Sequence, residues 1–255
     1  MENRSKTLGE IMREDIVSKI KLFKEITSWK EEDYMEYEKL LEEFILINKK
    51  KDKKDEMTTR KKGDVLEDLV NFIICKSFIL SVYPNIRTST NEIDQFIVLN
   101  DNGKQAIHEY NFSKELMGFK EDYFLAECKN YNKKVNVTWV SKFYSLLKVA
   151  GNSELGIIFS YEGLTGKDNA WYEAHGLTKI IYRIEKIENN REMFILDFNI
   201  NDFKELKNKK IGFFDIIKMK KESLRSCAKS EILMKKHEGI SFVKETVNEI
   251  SSNKL

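Results

Sequence analysis

Six residues constrain this chain more than any others: Leu155-Gly-Ile-Ile-Phe-Ser160. An uncharged, mostly apolar run of this length reads as a short buried strand and is far too short to span a membrane. The segments before it supply the rest of a sheet and its cover. Residues 138–150 carry a helical pattern, with Gly151 placed to end it. Residues 123–129 and 93–99 read as further strands, and Leu66, Leu69, Val70, Ile73 and Ser77 form a helical stripe running to about Phe78. Helix, strands, helix, strand in that order predict an α/β sandwich with a mixed central sheet.

The remaining punctuation is read the same way. Asp101-Asn-Gly103 is a strong type I′ hairpin signal, returning through 105–110. Residues 81–89 hold the only proline, Pro84, and read as a loop, while 179–184 and 193–198 read as strands. At the amino end, Leu8, Ile11, Met12, Ile16, Ile20, Phe23 and Ile26 recur at helical steps. Ser28 with Glu31 suggests a capping box opening a second helix through Tyr34, Tyr37, Leu40, Leu41, Phe44 and Ile47. Lys49 to Lys62 holds eight basic residues against three acidic, which reads as a solvated linker or as a phosphate-contacting segment beside an active site. Residues 204–236 hold eleven basic against four acidic and predict one or two helices with a basic face. The expected division is a helical extension with basic linker over 1–62, a catalytic core over 63–200 and a basic helical extension over 201–255.

Composition narrows the function classes. Charged residues reach 34% and apolar ones 41%, enough for a packed core, and the formal net charge is only +2. Cys75, Cys128 and Cys227 have no CxxC spacing, which excludes a disulfide framework and a cysteine-based zinc site. No apolar run reaches membrane length and the charged amino terminus lacks a signal-peptide core, so a soluble cytoplasmic protein with no membrane partner is expected.

The residues that carry chemistry are Glu67, Asp94, Glu127 and Lys129. Side chains alternate along a strand, so Glu127 and Lys129 in Glu127-Cys-Lys129 share a face while Cys128 points to the other. Asp94 begins the preceding strand, so if the two strands pair, two carboxylates and an ammonium converge. Glu67 sits beside the core-facing stripe of the helix before them, where a carboxylate is costly unless paired or metal-bound. Metal-assisted phosphodiester hydrolysis needs this set. Two carboxylates bind a hard cation, the cation polarises the phosphate and lowers the pKa of a bound water, and a lysine orients that water or stabilises charge at phosphorus.

Gly63-Asp-Val-Leu-Glu67, Glu92-Ile-Asp94 and Glu127-Cys-Lys129, taken in order, resemble the PD-(D/E)XK nuclease superfamily, and within it the Mrr-type restriction endonuclease domain. The likeness continues through Asn130, the 138–150 helix with Lys142-Phe143, Gly156-Ile-Ile-Phe-Ser160, Gly163 and Ala170, and covers about 63–198. It implies a restriction-endonuclease-like fold and a DNA endonuclease that uses Mg²⁺, with Mn²⁺ able to substitute. The family's acidic residues fall on Asp94 and Glu127, its lysine on Lys129 and its helix glutamate on Glu67; the Cys128 backbone carbonyl is a further metal ligand. Ile93 stands where the motif's name has proline, which contributes no ligand. The 33-residue separation of Asp94 from Glu127 is long, and Glu92 is a fallback ligand. The resemblance also implies defence against foreign DNA, as an effector in a multi-protein system with a regulatory partner protein. Cutting both strands implies a homo-oligomer, a dimer or higher. The competing reading is a non-catalytic nucleic-acid-binding or assembly subunit that retains the fold.

Other candidates carry less. His108 reads as exposed on the hairpin, and His175 as a capping or surface residue. Trp139 and Tyr144 read first as packing between helix and sheet and second as base-stacking groups. Gly163-Leu-Thr-Gly166-Lys167 lacks the phosphate-loop frame and reads as a turn.

Overall fold

A computed structural model of the chain describes residues 7–49, 56–87, 92–131, 133–149, 153–166, 173–208 and 211–226. Residues 50–55 of the basic run, Gly151, Ala170 and everything after 226, including Cys227 and the far part of the basic tail, lie outside the described residues. The elements run α1 (Leu8–Thr27), α2 (Glu31–Lys49), α3 (Glu56–Cys75), β1 (Leu80–Arg87), β2 (Glu92–Leu99), α4 (Asp101–Tyr110) and a 3-10 turn at Lys114–Met117. They continue with β3 (Tyr123–Lys129), α5 (Val137–Val149), β4 (Leu155–Ser160), α6 (Glu173–Glu188), β5 (Phe194–Phe198), α7 (Ile200–Lys207) and α8 (Phe213–Ser226).

The five strands form one mixed sheet in the order β1-β2-β3-β4-β5. β1, β2 and β3 pair antiparallel, and β3, β4 and β5 pair parallel. This is the expected α/β class, a sheet covered by helices on both faces. β4 is buried along its whole length, as its unbroken apolar run requires. Gly156 within it admits α5: a Cβ there would lie 2.5 Å from Phe143 Cε1. On that face Val140, Phe143, Leu146 and Leu147 of α5 and Ala174 and Ile181 of α6 pack on Leu125, Ile158 and Ile195. The opposite face carries the larger core. There Leu66, Leu69, Val70 and Ile73 of α3 join Phe23 of α1, Tyr37, Leu41 and Phe44 of α2, and Phe203, Phe213, Phe214 and Ile217 of α7 and α8. Tyr37, fully buried, donates its hydroxyl to the Phe203 carbonyl at 2.8 Å, so the amino and carboxyl additions are stitched together beneath the sheet.

Four local expectations are corrected. Residues 81–89 are not a loop: 80–87 form β1. β1 is an edge strand, where proline's missing N–H costs no ladder bond, and its outward residues are exposed, which removed the apolar alternation. Asp101-Asn-Gly103 is not a hairpin turn but the first turn of α4. Asn100 caps it, accepting from Gly103 N–H at 3.0 Å while its amide donates to the Phe78 and Leu80 carbonyls. His108 is therefore exposed on a helix. Residues 179–184 belong to α6, where Ala174, Thr178, Ile181, Tyr182 and Glu185 make the buried face at helical spacing. Ser28 does not cap α2; its hydroxyl donates to the Lys24 carbonyl at the end of α1, and Asp33 accepts the Lys30 N–H at 2.9 Å instead. Capping boxes form instead at Thr7 with Glu10, opening α1, and at Asn199 with Asp202, opening α7.

Gly103 is required by space: a Cβ would stand 2.5 Å from Leu99 Cδ1 and 2.6 Å from the Ile79 carbonyl, a backbone atom that cannot move aside alone. Gly103→Ala is expected to destabilise the protein by about 1–3 kcal/mol. Denaturant titration checks this, and an unchanged midpoint would show that α4 lifts off the β1–β2 pair without cost.

Candidate functional site

The site forms where the sheet divides. The β2–β3 ladder runs from Val98↔Tyr123 to Gln95↔Ala126, whereas β3 stays in register with β4 as far as Lys129↔Ser160. One residue past the last β2–β3 partner pair, the Asp94 carboxylate reaches across and accepts the Cys128 N–H at 3.2 Å. The same oxygen, Oδ2, accepts from Lys129 Nζ at 3.2 Å, and Glu127 Oε1 lies 2.5 Å from that ammonium. Glu127 and Lys129 share a face because they alternate around Cys128, whose side chain packs toward the larger core. The side chains of Glu127 and Lys129 are only 13% and 12% exposed, so two acids and one base sit together at the margin of the core.

Glu67 joins them from α3. The fully buried Leu66, Leu69 and Val70 fix that turn against the sheet and leave Glu67 half-buried within the fields of Asp94 and Lys129. The buried Asn130 holds the same turn of structure from the other side, its amide donating to the Lys62 carbonyl at 2.6 Å. The structure thus brings together all four predicted side chains. Glu92 does not join them: it is exposed and lies 3.5 Å from Arg87.

The electrostatics follow from two carboxylates sharing one ammonium. Burial raises the Glu127 pKa, the Asp94 charge raises it further, and the Lys129 ammonium only partly offsets them, leaving it at about 7. Glu67 is pushed up by burial first and by Asp94 second. Burial opposes the charge on Lys129, but Glu127 and Asp94 outweigh it and hold the ammonium protonated far into the alkaline range. The Cys128 thiol is pushed well up by burial and the surrounding carboxylates, so it supplies no thiolate.

Sequence reasoning underrated two neighbours. Trp139 packs on the site itself: Lys129 Nζ lies 4.6 Å from its ring centroid and Lys142 Nζ 4.9 Å, with Tyr131 5.8 Å away. The indole face thus packs against the Lys129 ammonium, a cation–π contact that strengthens with burial. Its position two residues into α5 carried no signal of this. Asn130 was visible only as the residue after the E-x-K run. Tyr144, by contrast, donates to the buried Glu185 of α6 beside Lys148 and has a packing role. His175 is half-buried in the first turn of α6, its N–H donating to the Thr165 carbonyl.

The donor set is hard oxygen. Among the described residues no group of three His, Cys, Asp or Glu side chains is close enough to form a complete metal-binding set. The side chains that do converge offer carboxylate oxygens, the donor type of Mg²⁺, which is held by one or two carboxylates and keeps several waters. Asp94 and Glu127 meet that requirement. The side-chain oxygens of Gln95 and Asn130, adjacent in sequence to Asp94 and Lys129, are buried without a hydrogen bond among the described residues and are acceptors suited to ordered water. Comparison with family models, with curated proteins and with solved structures found no match to this chain.

Because Glu127 holds a proton in the folded chain to about pH 7 and releases it near 4.5 when unfolded, folding stability in the absence of divalent ions falls as pH rises through that window. The Lys129 contribution, from a raised pKa, is constant there. Glu127→Gln is expected to flatten the decline between pH 5 and pH 7.5 in denaturant titrations. An identical slope in the variant would assign the pH dependence to other groups.

Proposed function

We propose that this chain is a Mg²⁺-dependent DNA endonuclease with the restriction-endonuclease-like fold that its motifs resemble. The observation that carries the reading is the convergence of Asp94, Glu127 and Lys129 at the split between β2 and β3. The strand order, two antiparallel pairs followed by two parallel ones with the acids on the central strands, supports it.

In this reading Asp94 and Glu127 hold the cation, which supplies Lewis-acid polarisation of the scissile phosphate and a water of lowered pKa. Glu127 would hold such a cation as a carboxylate, and the proton that burial and Asp94 keep on it would have to leave for it to do so. Lys129, then freed from neutralising both acids, orients the attacking water and stabilises negative charge developing on the phosphoryl oxygens. Trp139 limits where that ammonium can go. Glu67 holds water at the rim of the site. Arg60, Lys61, Lys133, Lys134 and Lys142 are exposed in the segments that border the site and offset the repulsion between a carboxylate cluster and a phosphate backbone. Lys62 does not serve in this way, since it is buried at 4% exposure within α3. A role in defence against foreign DNA, under control of a partner protein, is the biological setting the family likeness suggests.

Plasmid DNA incubated with the purified chain and Mg²⁺ or Mn²⁺ is expected to be cut, with EDTA abolishing cleavage. Asp94→Ala and Lys129→Ala should each lose about 10²–10⁴-fold in rate, and Glu67→Ala less. Folded wild-type protein that binds DNA and neither cuts it nor binds Mg²⁺ by calorimetry would replace this reading with a non-catalytic nucleic-acid-binding subunit.

A further inference from the structure

Helix α8 carries a lysine that the fold buries without an acid. Lys221 is only 8% exposed, and a lysine is rarely that buried unless it is paired. Its ammonium donates to the Gly118 carbonyl at 2.7 Å and lies 4.3 Å from the ring centroid of Phe194. Among the described residues it makes no ion pair. Glu192 and Glu154 act on it only from a distance, and Glu192 is held by Arg225 at 2.7 Å. Burial first and the Arg225 guanidinium second pull the Lys221 pKa down to about 8, and Lys120 adds to the repulsion. An apolar side chain of the same length would avoid this cost, so the charge has no stabilising purpose within the fold.

Lys221 lines a cavity of about 380 Å³ between α8 and the turn that leads into β3. Gly118 lets that turn close on the helix: its φ is 80°, and a Cβ there would stand 2.9 Å from Ile217 Cγ2. Lys120 stands on the wall formed by the turn, and Lys218, Lys221 and Arg225 on the wall formed by α8, four cations against the two acids Glu115 and Glu222. Arg225 is spent on Glu192 and Glu222, and Lys218 lies 2.9 Å from Asp215. Lys120 and Lys221 are the two cations of the cavity that have no acid among the described residues. We propose that this cavity binds a phosphate-bearing small molecule, with the phosphate between Lys120 and Lys221. Two uncompensated ammoniums match the two charges of a phosphate monoester, whereas a single carboxylate would leave one unmet. The volume falls in the range of small-molecule sites and leaves room for an organic body beside the phosphate. An ammonium only 8% exposed is open to a small molecule and closed to the rigid backbone of a duplex. The cavity is also remote from the acidic cluster. Phe194 stands level with Leu155 and Lys129 with Ser160, five positions along β4 and roughly 16 Å apart. The inference is independent of the nuclease reading.

Isothermal titration calorimetry of the full chain in EDTA tests it, with inorganic phosphate and AMP as probes and acetate and a short DNA duplex as comparisons. Inorganic phosphate is expected to bind below about 5 mM and AMP at least about tenfold more tightly, with no heat from acetate. Lys120→Glu, at an exposed position where the fold is not at risk, and Lys221→Met, which keeps the buried stem, should each weaken AMP at least about tenfold with circular dichroism unchanged. If Lys221→Met unfolds, Lys120→Glu decides alone. Asp94→Ala should bind AMP as the wild-type chain does. A wild-type chain that binds neither probe, or binding that the lysine variants leave intact, overturns the proposal. Binding lost in Asp94→Ala overturns it by placing the phosphate at the acidic cluster. A duplex that displaces AMP and is itself weakened by Lys120→Glu overturns it by assigning the surface to nucleic acid. Phosphate bound as tightly as AMP overturns the organic body and reduces the site to one for a bare anion.

Discussion

The site depends on one shared proton-bearing group. Lys129 lies within 3.2 Å of Asp94 and 2.5 Å of Glu127, and without its ammonium two largely buried carboxylates would face each other across the gap between β2 and β3. That gap is itself a product of topology. β3 changes from an antiparallel partner on one side to a parallel one on the other, and it keeps its parallel partner to the end while losing the antiparallel one. Asp94 then takes a backbone N–H that the ladder no longer serves. A sheet that divides in this way exposes peptide groups at the edge of the core, and charged side chains are what satisfy them there. The cost of burying net negative charge appears in the raised pKa of Glu127 and Glu67, and in the proposed reading that charge is what would draw in a cation.

What was legible in the sequence follows the strength of each pattern. Residues 93–99, 123–129 and 155–160 were readable as strands because burial on both faces or alternation leaves few other interpretations, and Glu127 and Lys129 could be set on one face from the period of a strand alone. Asp94 could be joined to them only conditionally, since nothing in the 32 intervening residues announces that β2 and β3 pair. The structure places α4 and a 3-10 turn between them, with Phe112, Met117 and Phe119 buried in the core. The errors share a cause. Asn100 and Gly103 have the chemistry of a turn, and the same chemistry caps a helix; Gly103 is also required by the Ile79 carbonyl, which lies 24 positions away and outside any local window. Lys179-Ile-Ile-Tyr has strand propensity, but the longer spacing from Ala174 to Glu185 decides for helix. Pro84 argued against a strand only until β1 proved to be at the edge.

The terminal additions were legible as amphipathic helices, but their destination was not. Their apolar faces meet one another as much as the sheet: Phe44 contacts Tyr161 and Phe203, Phe23 contacts Phe214, and the Tyr37 hydroxyl is spent on a carbonyl of α7. The core on this face is therefore built from both ends of the chain at once. Removing either end would expose Leu66, Leu69 and Ile73 of α3, the residues that hold Glu67 in place. The ends are thus part of what positions the site.

That arrangement bears on how such a site can be controlled. Glu67 is the only member of the cluster carried by a helix; Asp94, Glu127 and Lys129 are fixed by the sheet itself. Anything that binds the outer helices reaches the chemistry most directly through α2 and α3, where Tyr37 stacks on Phe72 at 6.0 Å and Lys76 pairs with Asp33 at 2.6 Å. Glu67 and the Lys62 carbonyl that Asn130 binds ride on α3, whereas the ammonium between its two acids rests on strands alone. The sheet therefore fixes three of the four clustered side chains, and the helical layer, tied to both ends of the chain, fixes the fourth.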